Sequence, residues 1–129
     1  MKLLIDTQCW LWMNASPERF RASTLALIER ETTELLVSAA SAWEIAVKYS
    51  LKKLQLPMNP SDYVESRLRQ TRATPLPISH AHALWAGELR SCHRYPFDRL
   101  LVAQSQLERV PIVTADRSFQ LYDVDVIEA

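Results

Sequence analysis

The 129 residues suit one domain (1–129) with a single substantial core, and 48% hydrophobic with 23% charged residues excludes a disordered chain. Fifteen basic residues balance fifteen acidic ones, so a nucleic-acid partner must be held by a local patch and not by overall charge. Gly87 is the sole glycine, which excludes a P-loop and a GxGxxG dinucleotide turn, since both need several glycines.

No apolar run approaches the ~18 residues of a membrane span. MKLLIDTQCW lacks a signal-peptide architecture, so a cytoplasmic location with no membrane partner is expected. Cys9 and Cys92 are isolated, which does not support a thiolate metal site; both are expected to pack as small apolar residues.

In chain order, residues 2–6 read as a short strand buried on both faces, because Leu3-Leu4-Ile5 is continuously apolar. Ser16-Pro17 predicts a helix start, with Phe20, Leu27 and Ile28 as its inner stripe. Glu34–Ser38 is a second strand, followed by a helix over Ser41–Lys48 with Ser38 or Ser41 near its start. Asn59-Pro60-Ser61-Asp62 opens a further helix with Val64 and Leu68 inside. Thr74-Pro75-Leu76-Pro77-Ile78 is extended, because each proline pushes its predecessor out of the helical region.

Ser79 then caps a helix carrying Leu84, Trp85 and Leu89, and another begins near Pro96 with Phe97, Leu100, Leu101 and Leu107 on its apolar side. Residues 111–115 and Val124–Ile127 are the last strands. Alternating strands and helices predict an α/β fold: a parallel-dominated sheet with helices on both faces and no second domain.

Against that frame stand four carboxylates at strand ends or helix starts: Asp6, Glu44, Asp98 and Asp116. Ligands of open α/β sheets bind outside the carboxyl ends of the strands, so these acids can converge in one cleft. Clustered carboxylates repel one another unless protonated or joined by a cation, and hard oxygen ligands select Mg²⁺ or Mn²⁺ over zinc. The pattern points to a metal-dependent enzyme acting on phosphate esters.

Each acid also has a plainer role: Asp6 and Asp116 as turn or cap acids, Asp98 at a helix N-terminus, Glu44 on a solvent face. His80 and His82, two apart, do not share a helix face and make a poor zinc pair, which leaves a surface role. His93-Arg94 reads as solvated loop charge within reach of a phosphate. Arg67, Arg69 and Arg72 form a solvated basic run without an aromatic platform between them. Trp10, Trp12, Trp43 and Trp85 are expected in the core.

Four segments, LLIDTQCWLW, SAASAWEIAVK, YPFDRLLVAQS and IVTADRSFQLY, resemble the VapC toxins of the PIN-domain ribonucleases, in order and nearly end to end. The resemblance implies a PIN-like α/β sandwich and a Mg²⁺- or Mn²⁺-dependent endoribonuclease. As the toxin of a type II toxin–antitoxin system, it would have RNA as substrate, a cognate VapB-type antitoxin and a homodimeric state. It places the family's acids on Asp6, Glu44, Asp98 and Asp116, and its hydroxyl positions on Thr7 and Thr114. Three positions depart from the family pattern: Gln8 replaces a histidine, Tyr95 an acid and Lys52 a glycine.

Two rivals come from other classes. A receiver-like phosphoacceptor domain needs an Asp ending its third strand and a distal Lys, neither present in context. A catalytically silent PIN-like module that binds a partner has no need of clustered like charges.

Overall fold

A computed structural model of the protein describes residues 1–89 and 95–129. Five strands, β1 (Lys2–Ile5), β2 (Glu34–Ser38), β3 (Thr74–Leu76), β4 (Ile112–Thr114) and β5 (Val126–Glu128), form one sheet in the order β3-β2-β1-β4-β5. All four pairings are parallel, with Leu3 opposite Leu35 and Leu4 opposite both Leu36 and Ile112. Six helices connect the strands: α1 (Thr7–Ala15), α2 (Ala22–Glu29), α3 (Ala39–Ser50), α4 (Pro60–Thr71), α5 (His80–Glu88) and α6 (Pro96–Glu108).

The central strand explains its own composition. Leu3 and Ile5 pack into one core with Trp10, Ile28, Val37 and Ile45, whereas Leu4 packs into the other with Leu36, Leu101, Val102 and Ile112. A strand covered on both faces has no solvent side to mark with polar residues. The chain builds β1, β2 and β3 outward in one direction and returns to add β4 and β5 on the other side of β1. The order reverses between β1 and β4, where connections leave the sheet in opposite directions and open a crevice.

Several elements differ from their sequence expectation. Residues 7–15 form α1, which sequence pattern did not reveal; Leu11, Trp12 and Met13 pack partly against the core behind buried Cys9 and Trp10. The Ser16-Pro17 signal opens a short 3-10 turn over Pro17–Arg19, and α2 starts only at Ala22. In α5 the large residues face out: Leu84 is 69% and Trp85 42% exposed, while His82 and Ala86 are buried. Trp43 is also 52% exposed and Leu107 is exposed, so two of the four tryptophans, and one of the α6 leucines, lie outside the core.

His82 is not a surface residue. Its backbone N–H donates to Ser79 Oγ at 3.1 Å, and its Nδ1 accepts from the Ser79 N–H at 3.0 Å, a reciprocal cap that opens α5. Among the described residues no helix is long and apolar enough to cross a membrane. Cys92, His93 and Arg94 lie outside the described residues.

Candidate active site

Asp6 follows the last residue of β1 and caps α1: its Oδ1 accepts from the Cys9 N–H at 2.8 Å. Its other oxygen accepts from Thr114 Oγ1, at the end of neighbouring β4. The plain cap role and the cleft role thus belong to the same carboxylate. Thr114 Oγ1 also accepts from the Asp116 N–H at 3.0 Å, so one hydroxyl joins both strand-end acids. Asp116 in turn caps a 3-10 turn over Arg117–Leu121, accepting from the Ser118 N–H at 2.9 Å and its hydroxyl at 2.6 Å.

Glu44 is buried in the second turn of α3, a helix capped by the Ser38 hydroxyl rather than by Ser41. Ser41 is fully buried and accepts from Thr7 Oγ1 at 2.9 Å, tying the first turn of α1 to α3. Asp98 sits in the first turn of α6. All four acids line one cavity of about 430 Å³, together with Thr7, Gln8, Lys48, Lys53, Tyr95 and Phe119. Thr114 lies beneath its floor, reaching the cavity through Asp6.

The electrostatics register the crowding. Burial pushes the Asp98 carboxyl up to about 7, with Glu44, Asp116 and Asp6 adding to the rise and Lys48 opposing it. Burial also raises Asp6, against the hydrogen bonds from Thr114 and Cys9. Lys48 Nζ contacts Glu44 Oε2 at 2.7 Å. Burial presses the Lys48 ammonium down, but its contacts with Glu44 and Tyr95 outweigh that and the net shift is upward.

Oxygen-only donors with surplus negative charge fit a hard divalent cation. The set is not fully arranged for one, however: among the described residues no three His, Cys, Asp or Glu side chains form a ready ion site. The pairing of Glu44 with Lys48 is one visible reason.

The four acids expected from sequence, and Thr7 from the resemblance, line the cavity, and Thr114 bonds to Asp6; Lys48, Lys53, Ser41 and Ser118 were not among the expected site residues. Lys48 had a usable signal, since an acid followed by a lysine four residues on shares a helix face. The departures at Gln8 and Tyr95 both line the cleft. Lys52 has a left-handed backbone, φ 59°, at the end of α3, which accounts for a glycine preference there. Arg99, next to Asp98, turns away and donates to the carbonyls of Ala86 at 2.8 Å, Leu89 at 3.2 Å and Gly87 at 3.3 Å. It closes the end of α5.

Within the basic run one guanidinium lies over a buried ring. The Arg67 guanidinium lies 4.7 Å from the Tyr63 ring centre and Arg19 lies 5.5 Å from that of Trp12. Arg69 instead pairs with Glu65 at 3.0 Å.

A parallel α/β sheet with an acidic cleft at its switch point defines a class of protein, and comparison with known proteins specifies it. The PIN domain family model matches residues 3–125, and the chain belongs to that family. Ribonuclease VapC16 of Mycobacterium tuberculosis (strain ATCC 25618 / H37Rv) is 44% identical over 59 residues. That match takes in 46% of this chain and spans only 42% of the relative's length.

The fold recurs in VapBC2 from Rickettsia felis, solved bound to a DNA fragment from its promoter, with a TM-score of 0.74 at 16% identity over 99% of this chain and 98% of that one. It recurs in VapBC-1 from nontypeable Haemophilus influenzae, with a TM-score of 0.65 at 15% identity over 99% and 98% of the two chains. FitAcB from Neisseria gonorrhoeae gives a TM-score of 0.62 at 19% identity over 97% and 96%.

Proposed function

We propose that this protein is a metal-dependent endoribonuclease, the toxin of a type II toxin–antitoxin pair, working as a single domain in the cytoplasm. The observation that carries the reading is the convergence of Asp6, Glu44, Asp98 and Asp116, from four separate elements, on one cavity at the sheet's switch point. The similarity to a relative named a ribonuclease supports RNA as substrate. The shared fold of VapBC and FitAB proteins supports a VapB-type antitoxin as partner, and a homodimer completes the proposal.

The metal ligands in this reading are Asp6, Asp98, Asp116 and Glu44, directly or through water. Bound by these residues, Mg²⁺ or Mn²⁺ would supply Lewis-acid polarisation of the scissile phosphate and activation of a water. The chain's own residues keep that arrangement stiff. Thr114 and the Cys9 N–H fix the plane of Asp6, and Ser118 fixes Asp116. Thr7 locks α1 to the helix that carries Glu44. Such outer hydrogen bonds hold ligand geometry within the tolerance that phosphoryl chemistry needs.

With water as nucleophile, the phosphorus–O3′ bond breaks and the products carry a 5′-phosphate and a free 3′-hydroxyl. The test is incubation of purified protein with single-stranded RNA and Mn²⁺. Cleavage should stop with chelator and yield those ends, whereas 2′,3′-cyclic phosphates would point to a metal-independent ribonuclease. The silent partner-binding alternative predicts no cleavage under any metal, and nothing in the cleft favours it.

A further inference from the structure

The acidic cleft opens sideways into a second cavity of about 320 Å³, and Gln8, Leu11 and Leu54 line both. The character of the lining changes across that shared wall. Four acids face the first cavity, whereas the second is lined by two arginines, Arg19 and Arg67, and by no acid. Each guanidinium rests near a ring that also lines the cavity, Arg67 over buried Tyr63 and Arg19 over Trp12. Arg67 gives one donor to Ser66 Oγ at 3.1 Å. Among the described residues neither arginine forms an ion pair, while Arg69, outside the cavity, is paired with Glu65.

We propose that this second cavity is a subsite for the RNA substrate. A single strand whose scissile phosphate lies over the acids continues into it, and Arg19 and Arg67 bind the backbone phosphates next along the strand. A guanidinium with its face on a ring keeps its edge donors for the paired oxygens of a phosphate. The ring also holds the side chain in place, so less freedom is lost on binding. Carboxylates alone repel a polyanion, and a cationic pocket beside them fixes the register that lays one phosphate over the acids. An occupant that suits the pocket is anionic and reaches the cleft, and an RNA strand is both. The inference rests on the nuclease reading and adds to it the path of the strand and two substrate-binding side chains.

The test measures binding apart from cleavage. In an Asp98→Asn background, which should scarcely cut, a fluorescently labelled single-stranded RNA of mixed sequence is titrated by anisotropy at several salt concentrations. Arg19→Gln and Arg67→Gln should each weaken binding about fivefold, the scale of one lost contact to phosphate. Each should also flatten the slope of log Kd against log salt by about 0.7, the mark of one phosphate contact on a single strand. In protein that keeps Asp98, the same substitutions should raise KM by a similar factor and leave kcat near wild type. Arg67→Lys keeps the charge and should keep the salt slope. Arg69→Gln removes an equal charge outside the cavity and should change neither binding nor slope.

Arg19 is exposed, so its variant carries the test alone if Arg67→Gln does not fold. Unchanged Kd and salt slope in folded variants, beside a wild type that cleaves RNA, overturn the subsite and leave the nuclease reading standing. That outcome gives the cavity to another occupant, such as a segment of an antitoxin. Losses no larger than those of Arg69→Gln overturn it equally, since they report overall charge and not a site. A wild-type protein that cleaves no RNA with any metal overturns the nuclease reading and the subsite with it.

Discussion

Thr114 uses both functions of its hydroxyl beneath the cleft, donating to Asp6 and accepting from the Asp116 N–H. Thr114→Val keeps the shape and leaves a buried carboxylate oxygen and an amide short of a partner. The expected cost is about 1–3 kcal/mol in chemical denaturation, with a larger fractional loss of cleavage than of stability. Asp98 makes a different prediction. Its folded carboxyl holds the proton up to about pH 7, well above an ordinary Asp, so the folded state binds more protons than the unfolded between those limits. Metal-free stability therefore falls as pH rises from the ordinary carboxyl range towards 7, and Asp6 is shifted in the same direction. Asp98→Asn should melt higher than wild type without metal, the gap should widen between about pH 5 and about pH 8, and Mn²⁺ should close it by stabilising wild type alone. Cleavage by that variant should drop by orders of magnitude, and a flat melting-temperature difference across pH would refute the account of repulsion.

Helix ends carry a pattern forced by the near absence of glycine. Helices α3, α4 and α6 all stop beside a basic residue in left-handed backbone: Lys52, Arg72 and Arg109, with φ between 55° and 59°. At α3 the Lys53 N–H reaches the Lys48 carbonyl at 2.8 Å and the Lys52 N–H reaches Tyr49 at 3.0 Å, the bonding of a Schellman motif. Positive charge suits the helix C-terminus, but an L side chain in that conformation costs about 1–2 kcal/mol. Lys52→Gly should therefore raise stability by about 0.5–1 kcal/mol, after the extra freedom it gives the unfolded chain, read as a shift in the denaturation midpoint with unchanged slope.

Element boundaries also mark where sequence reading succeeded and failed. Asn59, Ser79 and Pro96 announced their helices because caps and prolines act locally. Helix α1 escaped because it presses apolar residues against the core on much of its circumference, which erases the periodic stripe, and because its cap, Asp6, was read as a strand end. Trp43 and Trp85 misled for a related reason: their size argues for burial, yet Trp85 Nε1 donates to Gln106 at 2.7 Å on the surface and Trp43 packs edge-on against Phe97 at 4.7 Å. The acids were legible since charge at strand ends is a local signal. The Glu44–Lys48 pairing needed the third dimension to show that it faces the cleft.

At the scale of the molecule, the sheet is stitched by contacts far apart in sequence. Thr24 Oγ1 donates to the Glu128 carbonyl at 2.6 Å, Arg21 pairs with the Glu128 carboxylate, and the Ala129 N–H reaches Thr114 at 3.0 Å. Glu128→Ala removes only the ion pair, so its cost should stay within about 1 kcal/mol. Trimming residues 126–129 removes β5 and exposes one side of β4, and should lower the melting temperature far more than Glu128→Ala while leaving the four acids in the chain.

The placement of β1 between β2 and β4 has a consequence in time. Asp6 is translated 108 positions before Thr114, which holds it. A chain still being synthesised can dock β1 on β2, but it has no β4, no Asp116 and no walled cleft until residues 112–116 emerge. On the nuclease reading proposed above, this topology keeps the unfinished product harmless beside ribosomal RNA. Ribosome-bound chains halted before residue 111 should neither take up Mn²⁺ nor nick ribosomal RNA, whereas release of the full chain should switch on both together.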